Sequence, residues 1–361
     1  MTIVREHSSV DLPDAYATRA GHRADLMEML DFEPDTTSFY AEVVAGLRQP
    51  VKTLPCKFFY DQRGSQLFDE ICELAEYYPT RTELGIMRDR IAEISALLGG
   101  HCRLVEYGSG SSIKTHILLD HLTNLAAYVP VDISRSHLLR SARRLACDYP
   151  ELTIQPVCAD YTDFFDLPPL PATCLTPPLL GAGGLHEQSV GPPRTVVYFP
   201  GSTIGNFLPD QAREFLAGVV AQCGQHGGLL IGVDLKKDPR ILHEAYNDAS
   251  GVTAAFNLNV LRRINRELDG DFDTDAFAHY AFYNPVIGRI EMHLVSMASQ
   301  TARIGDELFR FREGETIHTE CSYKYSLHEF ADLARSAGFA VRGVWTDSED
   351  LFSVQYLTVE E

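Results

Sequence analysis

A chain of 361 residues, 45% of them hydrophobic and 22% charged, can bury a real core and has length for two domains. Lys and Arg number 31 against 50 Asp and Glu, a net charge of −19 with no basic cluster, which disfavours nucleic acid and anionic membrane as partners. The eight cysteines (56, 72, 102, 147, 158, 174, 223 and 321) are scattered without a C-x-x-C pair, against a zinc site or disulfide framework and for reduced cytoplasmic thiols.

The N-terminal stretch lacks the apolar core of a signal peptide, and no run of about 18 apolar residues occurs, so no membrane-spanning helix is expected. Residues 1–35 are polar and weakly patterned, and are read as an arm partly ordered by the rest. Thr80 and Glu83 have the spacing of a capping box. Leu84, Met87, Ile91, Ile94 and Leu98 then share one face and Gly99-Gly100 ends the run, predicting a helix of about five turns.

CRLVEYGSGSSIKTHILLDHL (102–122) follows: a short apolar strand, a Gly-Ser-Gly turn, then a helical pattern. Further apolar runs lie at 126–134, 152–160, 194–202 and 227–235, separated by helical stretches such as 135–147 and 209–222. Strands alternating with helices predict an α/β fold, a parallel sheet covered on both faces. Near the end, Ser326 and Glu329 repeat the capping-box spacing, Gly338 closes that helix, and 339–345 and 352–359 read as two last strands.

Two segments break the alternation. Residues 166–195 hold seven prolines and four glycines without periodicity, the composition of a surface loop and tolerated insertion rather than a lid. Residues 235–324 look like an insertion that builds a second lobe with the chain before residue 80. The expected division is an arm (1–35), a nucleotide-binding domain (82–234 and 325–361) and a second domain (36–81 and 235–324).

Glu106-Tyr-Gly108-Ser-Gly110 closes the first strand of that sheet, where α/β folds bind nucleotides. Glycine there lets a ligand approach the main chain, although a lone G-x-G is as often merely structural. Asp132 ends the next strand and suits a ribose; Asp160-Tyr161 ends the one after and suits an adenine. Singly, each carboxylate is as readily a loop or cap residue; three successive strand ends make a pattern. The sixth position of G-x-G-x-x-G is Ile113. Lacking the glycine that a pyrophosphate needs, the motif favours S-adenosylmethionine over a dinucleotide. Lys114 is either a partner for the cofactor's methionine carboxylate or an exposed helix lysine.

Several longer strings carry more. KFFYDQRGSQLFDEI (57–71), EYYPTRTE (76–83), EYGSGSSIKT (106–115), FPGSTIGNF (199–207), AYNDASGVTAAFNLNVL (245–261), RIEMHL (289–294) and TECSYKY (319–325) resemble the histidine-specific Nα-methyltransferases of the ergothioneine pathway. The resemblance runs from about residue 50 to the end; Ser250 stands where the motif has alanine. It implies a Rossmann-like class I methyltransferase domain with a second, substrate-binding lobe, and trimethylation of L-histidine to hercynine by S-adenosylmethionine.

Carried over by motif, Gly108, Lys114, Asp132, Asp160 and Tyr161 would hold the cofactor. Tyr77, Asn206, Tyr246, Met292, Glu320 and Ser322 would hold histidine, with Tyr60 as the catalytic candidate. Glu320 and Ser322 are two apart, so on an extended segment they face the same way. A carboxylate and a hydroxyl there match the two imidazole nitrogens and would reject phenylalanine. The expected enzyme uses no metal and is a cytoplasmic monomer with a small-molecule substrate. The alternatives are a relative acting on another amino acid, such as tryptophan or a derivative, and a non-catalytic nucleotide-binding module.

Overall fold

The structure, a computed structural model, describes residues 29–32, 36–110, 113–163, 165–174 and 192–360. Most of the expected arm, and residues 175–191 of the Pro/Gly-rich loop, lie outside them. The strands in chain order begin β1 (Leu30–Asp31), β2 (Lys52–Thr53), β3 (Cys102–Tyr107), β4 (Ala127–Asp132), β5 (Val157–Cys158), β6 (Arg194–Phe199) and β7 (Gly228–Asp234). They continue as β8 (Phe277–Asn284), β9 (Arg289–Ser296), β10 (Gln300–Ile304), β11 (Glu307–Phe311), β12 (Thr316–Tyr323), β13 (Phe339–Thr346) and β14 (Phe352–Val359).

The larger sheet has the order β1-β5-β4-β3-β6-β7-β14-β13. Its central strands are apolar throughout because both faces are covered: Leu104 enters one buried cluster, Val105 and Tyr107 the other. The expected helices run Arg135–Asp148 and Pro209–Cys223. The sheet is mixed rather than all-parallel, a correction: β14 lies antiparallel between β7 and β13. Only residues 347–351 join β13 to β14, and so short a connection turns the chain back on itself. In 152–160 only Val157–Cys158 are strand, with Pro156 just before them unable to donate a ladder bond. Leu30–Asp31 of the arm pair with those two residues as a parallel edge strand.

The capping box at Thr80 and Glu83 does not form. The helix begins a turn earlier, at Tyr78, and runs to Leu98, with a proline in its first turn, where its fixed φ is an asset. It thus crosses the expected domain boundary at residues 81–82. Glu83 points inward and is fully buried. The second capping box is present: Ser326 accepts from Glu329 N–H, and Glu329 accepts from Ser326 N–H.

A smaller sheet, β2-β12-β9-β8, carries a separate apolar cluster in which Ile290, Met292, Leu294 and Ile317 pack with Val260 and Leu261 of the Val252–Glu267 helix. The β9–β12 register shifts by a bulge between His318 and Glu320. A bulge re-aims the side chains beyond it, and Glu320 is the next residue. In the large sheet, β4 and β6 both flank β3, so the strand order reverses at β3 and opens a crevice at the strands' carboxyl ends.

Candidate active site

That crevice is a cavity of about 900 Å³, and Gly108, Lys114, Asp132, Asp160 and Tyr161 all line it. Gly108 has φ +70, a left-handed conformation that favours glycine, and lies next to Tyr161 on the cavity floor. One oxygen of Asp132 accepts the Ser134 amide at 2.8 Å; burial raises its pKa. Asp160 is more occupied than expected: it accepts from the Thr162 amide and hydroxyl and from Lys57 Nζ at 3.2 Å. Burial pushes its pKa up, but those donors outweigh it and hold the carboxylate low. Lys57 thereby ties the N-terminal segment over the cofactor cavity.

A second, smaller cavity adjoins the first. Tyr60, Tyr77, Asn206, Tyr246, Met292, Glu320 and Ser322 all line it, and Tyr60, Tyr77, Asn206 and Glu320 border both. The structure therefore brings together residues drawn from 57–83, 199–207, 245–261 and 289–325. Met292 lies opposite Glu320 across the β9–β12 ladder. Tyr77 meets Tyr246 edge-on at 6.4 Å, and Tyr60 meets Phe256 likewise at 5.7 Å. Burial raises the Tyr60 and Tyr77 hydroxyls well above 10, so both stay protonated and neither is a base at neutral pH. Asn206 closes a 3₁₀ turn, Thr203–Asn206, that follows β6.

Three buried ionic groups were not singled out in the sequence. Lys324 Nζ lies 2.7 Å from Asp234, donates to Ser322 Oγ at 2.8 Å and to Tyr246 OH at 3.2 Å. Asp234 also accepts from Tyr78 OH at 2.7 and 2.8 Å and pairs with Lys237. Burial alone would push Asp234 up; the two ammonium groups hold it below the usual carboxylate range. Burial pulls Lys237 down to about 8, whereas for Lys324 the pull of Asp234 outweighs burial and raises it. Strand alternation was the available signal, since 320, 322 and 324 follow one another at period two.

Lys114 is not an exposed helix lysine: it lines the cavity and pairs with the buried Glu83, which also accepts the Gly201 amide at 3.0 and 3.1 Å. Gly232 makes room for that carboxylate, because a Cβ there would lie 2.3 Å from Glu83 Oε1 and 3.0 Å from the Phe352 ring. Gly232→Ala is expected to cost about 2–3 kcal/mol by overpacking and to lower the midpoint of a thermal melt. An unchanged midpoint would remove Glu83 from its bracing role.

A sheet whose parallel core ends in an antiparallel strand slipped between the last two positions, with a crevice at its reversal point and carboxylates at successive strand ends, defines a class I S-adenosylmethionine-dependent methyltransferase. A family model described as histidine-specific methyltransferase, SAM-dependent, matches residues 39–359, and the chain belongs to that family. Histidine N-alpha-methyltransferase of Mycolicibacterium smegmatis is 41% identical over 311 residues, 85% of this chain and 90% of that one. Its namesake from Mycobacterium tuberculosis is 40% identical over 321 residues, 87% and 92% of the two chains. Ergothioneine biosynthesis protein 1 of Neurospora crassa is 29% identical over 312 residues, 82% of this chain but 32% of that one. Among the described residues, no helix is long and apolar enough to cross a membrane.

Proposed function

We propose that this enzyme transfers methyl groups from S-adenosylmethionine to the α-amine of L-histidine, three times over to hercynine, in ergothioneine synthesis. It works as a cytoplasmic monomer, with no metal in the transfer step and with residues 36–81 and 235–324 forming the substrate lobe. The observation that carries this is Glu320 and Ser322 side by side on the wall of a small cavity that opens on the cofactor crevice. A carboxylate accepts the imidazole N–H and a hydroxyl donates to the other nitrogen, a pair that neither an indole nor a phenyl ring can satisfy.

S-adenosylmethionine supplies an electrophilic methyl on a sulfonium. Asp132 would take its ribose and Tyr161 its adenine face, while Gly108 admits its main chain. Lys114, on the wall of the same cavity and paired with Glu83, would meet the cofactor's methionine carboxylate. The acceptor amine must be neutral, and it sheds its proton to water, because the nearby phenols are held protonated. Positioning then carries the rate. Asn206 and Tyr246 are the donors for the substrate carboxylate.

Mass spectrometry tests the proposal: incubation with S-adenosylmethionine and an equimolar amino-acid mixture should add up to three methyl groups to histidine alone. Methylated tryptophan would move the substrate assignment to the alternative, and cofactor binding with no methylated product would point to a binding module.

Two variants separate the cavities. Asp132→Ala should weaken cofactor binding by about 10–100-fold, a loss of hydrogen bonds to a charged acceptor, read by calorimetry. Unchanged affinity would displace Asp132 from the ribose. Tyr60→Leu removes an aromatic face from the growing quaternary ammonium. Mono- and dimethylhistidine should then accumulate, and wild-type progress to the trimethyl product would dismiss that role.

A further inference from the structure

Away from the transfer cavities, β9 and β12 place Glu291, His293 and His318 together, with one ligand atom of each within 4.8 Å of the others. His293 and His318 are direct partners across the ladder. All three alternate with Ile290, Met292, Leu294 and Ile317, which enter the core, so they share the opposite face of the sheet. We propose that this cluster is a binding site for a zinc-class divalent cation, with two imidazole nitrogens and one carboxylate oxygen as ligands.

Three observations support it. His293 Nε2 stands 3.2 Å from Glu291 Oε2, close to the edge of a tetrahedron about a metal some 2.1 Å from each ligand, about 3.4 Å. His318 Nε2 is buried without a hydrogen-bond partner, and a buried polar atom of that kind calls for an explanation. Finally, Glu291 Oε1 is fixed by Arg289 at 2.9 and 3.0 Å and by Asn284 at 3.2 Å, which orients Oε2 toward His293 Nε2, where an ion would take the place of the hydrogen-bonding proton.

The His293 and His318 ring centroids are 4.9 Å apart, and Phe282 stacks on His293 at 5.6 Å, so one imidazole is already held. Closing the site takes a swing of His318. Two nitrogens and one oxygen form a borderline donor set, suited to Zn²⁺, Co²⁺ or Ni²⁺ rather than Mg²⁺ or Ca²⁺. Cysteine spacing carries no signal for ligands on two strands joined only by the fold. An ion here would staple β9 to β12 beside the bulge that turns Glu320 toward the substrate cavity.

The test uses the full chain without a polyhistidine tag, stripped by chelator and titrated with Zn²⁺ by calorimetry and with Co²⁺ by visible absorption. One equivalent should bind with tetrahedral Co²⁺ bands, and Zn²⁺ should raise the melting temperature. His293→Gln and His318→Gln should each weaken binding about tenfold or more, and the double variant should lose the thermal shift. Cofactor binding by the same variants checks that they fold. Absence of a stoichiometric Zn²⁺ site in the wild type, or a site that persists in the double variant, overturns the proposal.

Discussion

Glu320→Ala should lower kcat/KM for histidine by about 10²–10³-fold while leaving cofactor affinity unchanged, because it strands an imidazole N–H in a buried cavity. Glu320→Gln, which keeps an acceptor but loses the charge, should cost about tenfold. Burial pushes the Glu320 carboxyl up to about 7, with Lys324 pulling the other way. In the free enzyme the acceptor form therefore exists above pH 7 and is lost as pH falls through it. Since kcat/KM reports the free enzyme, its pH profile should fall on the acid side near 7. The Gln variant should lack that limb and keep only the substrate imidazole's own, near about 6.5. A limb at 7 that survives in the Gln variant would assign it to another group and take Glu320 out of imidazole recognition.

What sequence could foresee follows from how local the information is. Gly108, Asp132 and Asp160, which line one cavity, are legible in the sequence because strand ends carry their own punctuation, a glycine turn or a helix start. Glu320 and Ser322 were placed together because period two is a property of any strand. Glu83 was misassigned for a complementary reason. Its local spacing to Thr80 satisfies a capping box, but its partners, Lys114 and the Gly201 amide, are 31 and 118 residues away. A buried carboxylate takes whatever donors the fold supplies, and those lie beyond the reach of spacing arguments. The same holds for Asp234, which ends β7 as Asp132 ends β4, yet turns to Tyr78, Lys237 and Lys324 instead of to a nucleotide. The antiparallel insertion of β14 was likewise hidden: the short connection after β13 announces a hairpin but not which neighbour β14 joins.

Lys324→Met should be nearly as damaging to recognition as the loss of Glu320, and by a different route. An ammonium has three N–H donors and no acceptor. Here they go to Asp234, Ser322 Oγ and Tyr246 OH. Hydroxyl oxygens that accept from Lys324 must send their own protons elsewhere, and the cavity they line is the place. In the proposed site Lys324 would thus make donors of Ser322, toward the bare imidazole nitrogen, and of Tyr246, toward the substrate carboxylate. Glu320 would be the acceptor that completes the set and selects one tautomer of neutral imidazole. Methionine matches lysine in length but donates nothing, so both hydroxyls regain freedom of orientation and Asp234 keeps only Lys237 and Tyr78. Losing one partner of a buried ion pair costs about 3–5 kcal/mol, so a lower melting temperature is expected, and alone it would say nothing about recognition. Two readouts do. Without the nearby ammonium the Glu320 carboxyl should titrate higher, moving the acid limb of kcat/KM above pH 7. In a double-mutant cycle, Ser322→Ala should cost far less in the Lys324→Met background than in the wild type, a coupling of about 1 kcal/mol or more. A Lys324→Met enzyme with an unmoved limb and additive effects would reduce this lysine to a structural counter-ion of Asp234.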